Sequence, residues 1–94
     1  MPAKLEWKQI AQEEFLQHID YIADESPDAA QKLKDEVESK VNELPEHPKL
    51  YRPGRVPGTR EMVVRANYIV VYEEDETMVT VLRVLHAAQL YPPQ

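Results

Sequence analysis

The chain has 94 residues, 43% hydrophobic and 30% charged, which suits a folded globular protein and sets the expectation of a single domain over residues 1–94. It has no cysteine, which excludes disulfides, thiolate metal sites and a cysteine nucleophile and fits a reducing, cytoplasmic setting. No apolar run is long enough to span a bilayer, and a net charge of −6 argues against broad affinity for nucleic acid, where phosphate neutralisation dominates binding.

Residues 3–7 alternate apolar and polar, the period of a half-buried strand, and Lys4, Glu6 and Lys8 interrupt the apolar stretch that a secretory signal would need. From Lys8 the period changes: Ala11, Phe15, Ile19, Ile22 and Ala23 recur at spacings of three and four, which predicts an amphipathic helix ending near Asp24 or Glu25. Ser26-Pro27-Asp28 then reads as a helix start, with a hydroxyl N-cap, proline at the first helical position and an acid at the positive end of the dipole. Ala30, Leu33, Val37, Val41 and Leu44 form the core stripe of this second helix, which Pro45 and Pro48 end. The short link makes the pair an antiparallel helical hairpin.

Residues 45–58 hold four prolines and both glycines, the composition of an ordered loop. Three strands are expected after it, over 60–66, 67–73 and 77–86, joined by a tight turn at Ala66-Asn67 and an acidic hairpin at Glu73 to Glu76. The expected class is therefore α+β: an N-terminal strand, a helical hairpin, then a three-stranded antiparallel meander forming a small sheet. Strict alternation places Ile69 and Val71 opposite Tyr68, Val70 and Tyr72, and sets Leu82 and Val84 against Val79, Val81 and Leu85. Both faces of the sheet are apolar, and the hairpin covers only one. A partner or second copy is expected to cover part of the other.

The charge is unevenly spread. Residues 1–48 carry five basic and twelve acidic side chains, and residues 73–94 have Arg83 as their only base. Residues 49–72 set Lys49, Arg52, Arg55, Arg60 and Arg65 against Glu61 alone, a net of +4, which reads either as a solvated loop or as a binding surface.

Gly58, Arg60, Glu61, Tyr68, Tyr72, Arg83, Val84, Leu85, His86 and Pro92 stand in the order found in the C-terminal half of the RelE/ParE toxins. Trp7, Ala11, Tyr21-Ile22, Ser26-Pro27 and Ala30 match that family's helical hairpin, and His47-Pro48 to Tyr51-Arg52 its connecting loop. The chain thus resembles the RelE/ParE toxin superfamily along essentially its whole length. The resemblance implies the toxin of a bacterial type II toxin–antitoxin pair of the plasmid-stabilisation kind, cytoplasmic and neutralised by a cognate antitoxin, as a dimer or a heterotetramer with it. It also implies one of two activities. ParE-like members bind and poison DNA gyrase without catalysis of their own. RelE-like members cut messenger RNA on the ribosome, which requires a base, a proton donor and cations around the phosphate. A degenerate member that only binds antitoxin is a third alternative.

For a nuclease the candidates are His86, Arg65 and Tyr91, with Glu61 a further base, although alternation sets Arg60 and Glu61 on opposite faces. Ile69 stands where nuclease members carry an arginine, and Ala87-Ala88-Gln89 where they carry basic residues, so cations needed for phosphoryl transfer are missing. These departures favour a ParE-like, gyrase-binding and non-catalytic toxin, with Arg52, Arg55, Arg60, Arg83, His86 and Tyr91 as target-binding residues. Ala87-Ala88 also departs from the basic pair common in gyrase poisons. His18, His47 and His86 are scattered, and Gly54 and Gly58 make no phosphate cradle, so no metal or cofactor is expected. The outer face of the sheet is the expected seat of the antitoxin, as a helix in a groove or an added strand.

Overall fold

A computed structural model describes residues 4–92. In chain order it contains β1 (Lys4–Trp7), α1 (Gln9–Ala23), α2 (Pro27–Asn42), β2 (Arg52–Pro53), β3 (Arg60–Val64), β4 (Tyr68–Glu74) and β5 (Met78–His86). The α+β class, the N-terminal strand, the helical hairpin and the meander are those the sequence pattern predicts. Residue 3, expected to open the first strand, lies outside the described residues. No helix among them is long and apolar enough to cross a membrane.

The α2 start is built as expected: Ser26 Oγ accepts the Ala29 N–H at 3.2 Å, Pro27 occupies the first turn and Asp28 follows it. The core stripes of both helices lie on one face of the sheet, where Ala11, Phe15, Ile19, Leu33, Val37 and Val41 meet Met62, Val64, Val70 and Tyr72. Trp7 stacks on Phe15 with ring centroids 5.5 Å apart, tying β1 to α1. Tyr72 is fully buried and its hydroxyl donates to the Pro48 carbonyl at 2.8 Å, which fastens the proline-rich loop to the core.

The meander is part of a larger sheet, five strands in the order β1-β5-β4-β3-β2. β1 pairs in parallel with Met78 to Val81 of β5, and the chain between them runs through the helical hairpin and the other three strands. The two residues of β2 pair with the start of β3 and lie inside the stretch expected to be loop. Two local expectations are corrected. The tight turn is centred one residue earlier, on Arg65 and Ala66, both in the left-handed region at φ 55 and 61. Alternation also breaks in β5: Val71 pairs with Arg83 and Tyr72 with Val81, so Leu82 is an extra residue in a bulge. Beyond it the faces exchange. Val84 joins Val79 and Val81 in the helix-side core, and Leu85 joins Leu82 on the other side.

That other side is not left bare. Ile69, Val71 and Leu85 are buried beneath Leu82 and Tyr91, because the chain after β5 folds back over its own sheet. The outer face expected to await a partner is therefore largely covered from within, although Val63 stays 38% exposed.

Tyr72→Phe leaves the Pro48 carbonyl without its donor and should cost about 1–2 kcal/mol in chemical unfolding. Burial pushes the Tyr72 phenol from its ordinary 10.0 up to about 12. A folded value above the unfolded one means that its contribution is intact below pH 10 and lost as pH rises towards about 12. The stability of Tyr72→Phe should accordingly fall less steeply than wild type across that window, and parallel alkaline curves would refute the assignment.

Candidate functional site

β3 opens with Arg60-Glu61, and alternation turns the two side chains to opposite faces. Glu61 is only 2% exposed. Its Oε1 accepts from Arg52 Nη2 at 3.0 Å, and its Oε2 accepts from the Arg55 backbone N–H at 2.9 Å and lies 3.6 Å from Arg55 Nε. Arg52 is also its cross-strand partner. One buried carboxylate thus anchors the loop that carries both arginines. The loop needs Gly54, since a Cβ there would fall 2.3 Å from Thr59 Oγ1. With both oxygens engaged, Glu61 is an anchor and not a free base.

The remaining arginines are held in the same manner. Arg60 donates to the Tyr51 carbonyl at 2.8 Å and sits 3.6 Å from Glu74. Arg65 meets Glu36 of α2 at 2.7 Å, and this bond keeps the Glu36 carboxyl below the usual carboxylate range. Arg83 forms a two-pronged pair with Glu14 of α1, at 2.9 Å from Nε and 2.6 Å from Nη2, which raises the guanidinium pKa further. All five arginines of the chain are therefore paired with carboxylates, three of which come from outside the basic segment. Of these, Glu74 and Glu36 meet arginines of that segment, so its charge of +4, read along the chain, is partly offset in space.

The C-terminal candidates separate. His86 lies edge-on to Tyr68, which packs with the helix-side core, and its Nδ1 accepts the Ala88 N–H at 3.1 Å, leaving the ring proton on Nε2. Tyr91 belongs to the opposite face, against Ile69, Val71 and Leu85. There Arg83 lies 5.7 Å over its ring and Arg55 Nη1 reaches its carbonyl at 3.5 Å. The structure joins Arg52, Arg55, Arg83 and Tyr91 into one surface through Glu61 and the tail. Arg60, Arg65 and His86 are engaged elsewhere. Arg65, His86 and Tyr91, named together as a nuclease set, are each engaged with a different partner.

Two residues escaped sequence reasoning. Glu14 accepts the Val84 N–H at 3.1 Å and His18 Nε2 donates to the Val84 carbonyl at 3.1 Å, so together they satisfy the free edge of β5 where β1 has ended. His18 also meets the Tyr68 ring, at 5.4 Å between centroids. Their spacing of four residues on α1 put both on one helix face, and that was the available signal. Their partners lie at the far end of the chain.

A parallel N-terminal strand, a helical hairpin and an antiparallel meander with an arginine-bearing loop make up the fold of the RelE/ParE toxins. The chain belongs to the ParE toxin family of type II toxin–antitoxin systems: the family model, described as the ParE toxin of the type II system parDE, matches residues 5–91. A Sinorhizobium fredii protein named as an inferred toxin, Y4kP, is 38% identical over 73 residues, which span 77% of this chain and 75% of that protein. Among solved structures, the chromosomal ParDE toxin–antitoxin system of P. aeruginosa superposes with a TM-score of 0.76 at 21% identity, over 88% of this chain and 94% of that one. The toxin–antitoxin complex RelBE2 of Mycobacterium tuberculosis gives 0.60 at 22% identity, over 95% of each chain.

Glu61→Ala removes the acceptor of the Arg55 N–H and both guanidinium contacts. It should lower stability by about 2 kcal/mol and release the loop over 52–59. Thermal unfolding and amide exchange of the loop check this, and an unchanged melting temperature would show that the anchor is dispensable.

Proposed function

We propose that this toxin acts by occupying its target without catalysis, that the target is DNA gyrase, and that a cognate antitoxin holds it inactive. The observation that carries this reading is the pairing of the arginines. RNA cleavage through a phosphorane-like transition state needs cations free to meet the phosphate and a base free to take a proton. Here Arg60, Arg65 and Arg83 are engaged by Glu74, Glu36 and Glu14, the His86 Nδ1 is occupied, and Tyr91 lies across the sheet from the His86 ring. A binding surface tolerates such pairing. An arginine has five N–H donors, and the Arg52 and Arg55 side chains, 55% and 42% exposed, keep donors for a protein partner while Glu61 fixes their position. Beside them the tail presents Leu90, which is 80% exposed. The surface we assign to gyrase is therefore Arg52, Arg55 and the tail from Ala87 to Tyr91.

The antitoxin is supported by the family and by structural neighbours that are themselves toxin–antitoxin assemblies. With the outer face of the sheet covered by the tail, an open groove lies instead between the helices and β1, where the apolar Trp7, Phe15 and Leu16 stand beside Gln12, Lys34, Glu38 and Asn42. Leu16 is 52% exposed there. We assign this groove to the antitoxin.

Purified toxin, added to gyrase and plasmid without ribosomes, should abolish supercoiling and trap double-strand breaks, and Arg55→Glu should weaken the effect at least about tenfold. No effect at large molar excess, together with ribosome-dependent cuts in a toeprinting assay, would replace this reading with RNA cleavage. Leu16→Asp should weaken the complex with the product of the adjacent gene by at least about tenfold, since an apolar side chain buried in an interface contributes about 1.5 kcal/mol or more. Undiminished affinity would place the antitoxin elsewhere.

A further inference from the structure

We propose that Glu14 of α1 is the positioning residue of the C-terminal segment: by clamping Arg83 it sets the guanidinium over the ring of Tyr91 and so holds the tail across the outer face of the sheet. The proposal rests on the reading of that tail as part of the target-binding surface and adds what controls its pose.

Among the described tail residues, Ala87, Ala88, Gln89 and Leu90 are exposed, and Tyr91 is the one that packs into a buried cluster. The path from His86 to that cluster is held at its near end, where the Ala87 N–H donates to the Asn67 carbonyl at 2.7 Å and Gln89 closes a turn on His86, and at its far end by Tyr91. Two groups touch Tyr91 from the sides. Arg55 Nη1 reaches its carbonyl at 3.5 Å, and Arg83 stands 5.7 Å over its ring. Neither guanidinium is loose, because Glu61 holds the first and Glu14 the second. Glu14 is held on both oxygens, with its side chain 14% exposed and three donors: Arg83 Nε at 2.9 Å, Arg83 Nη2 at 2.6 Å and the Val84 N–H at 3.1 Å. A bidentate pair fixes the plane of the guanidinium as well as its place, and a planar cation favours the ring it faces only when so oriented. A lone arginine at the same position would keep its charge and lose that orientation. The bulge at Leu82 completes the geometry, since it places Arg83 and Val84 together against one helix side chain.

A purely structural role for Glu14, covering the β5 edge at Val84, predicts a different outcome from the positioning role. Glu14→Gln keeps the size and an oxygen for the Val84 N–H but loses the two-pronged charge pair. In the full-length chain, nitrogen relaxation should show the backbone order parameters of Leu90 and Tyr91 falling from about 0.85 to below about 0.6, while amide protection of α1 and β5 persists. Arg83→Gln, which leaves Glu14 and its Val84 contact in place, should give the same signature. The exchanged pair Glu14→Arg with Arg83→Glu should re-form the ion pair without restoring tail order, because position 83 then has no cation to set over the Tyr91 ring. A tail as ordered as wild type in both single variants would overturn the proposal, as would a lowered melting temperature with tail order unchanged. The gyrase assay distinguishes the two readings. A loosened tail with undiminished gyrase inhibition confirms the clamp and removes the tail from the target-binding surface, whereas loss of inhibition by about tenfold supports both.

Discussion

The last strand is longer than the strand beside it, and much of the molecule follows from that mismatch. β1 pairs with β5 only as far as Val81, where the Lys8 N–H donates to the Val81 carbonyl and the chain turns into α1. Beyond that point β5 would present bare backbone groups to α1, and buried backbone donors and acceptors are costly to leave unpaired. Glu14 and His18 take the place of a neighbouring strand at Val84. This demand sets the rotation of α1 on the sheet, and the same carboxylate that closes the edge also captures Arg83. An unpaired edge also invites pairing with other chains, so side chains that occupy it serve solubility as well as stability.

The charge distribution follows a related logic. A net of −6 could have been arranged as an acidic body with a basic loop, which would steer the chain towards phosphate. Folding instead distributes carboxylates among the arginines: Glu61 from within the basic segment, Glu74 from the neighbouring strand, and Glu36 and Glu14 from the two helices. Most of these pairs are partly exposed, so each contributes little to stability by itself. Their larger effect is geometric. Arginines held by carboxylates suit a fixed recognition surface better than the reorganising charge of phosphoryl transfer, and this bears on which toxin activity the scaffold supports.

The extra layer on the outer face shows how so short a chain closes a sheet that is apolar on both sides. The helical hairpin buries one face, and a few residues after β5 return over the other with Tyr91 as their anchor. A tail held by one aromatic ring, two clamped guanidinium groups and a few hydrogen bonds to Asn67 and His86 belongs to the less protected part of the molecule, and binding segments are commonly drawn from such regions.

The elements themselves were legible in the sequence. The stripe from Ala30 to Leu44, the Ser26-Pro27-Asp28 start and the alternating strands are local patterns, and helix and strand periods report local geometry directly. The family resemblance rested on motifs of the same local kind and held along residues 5–91. Candidate site residues were legible as types, but their grouping was not. β2 is too short to carry a period, and the bulge at Leu82 leaves no mark in an apolar run, so both were decided by pairing with β3 and β4. The partial offset of the basic segment's charge, the division of His86 from Tyr91 and the roles of Glu14 and His18 all depend on contacts between residues distant in the chain. Sequence alone determined which residues share a face of each element, except beyond the bulge in β5. Tertiary structure decided which carboxylate meets which arginine, because a charge pair depends on distance in space, and only the packed fold sets that distance.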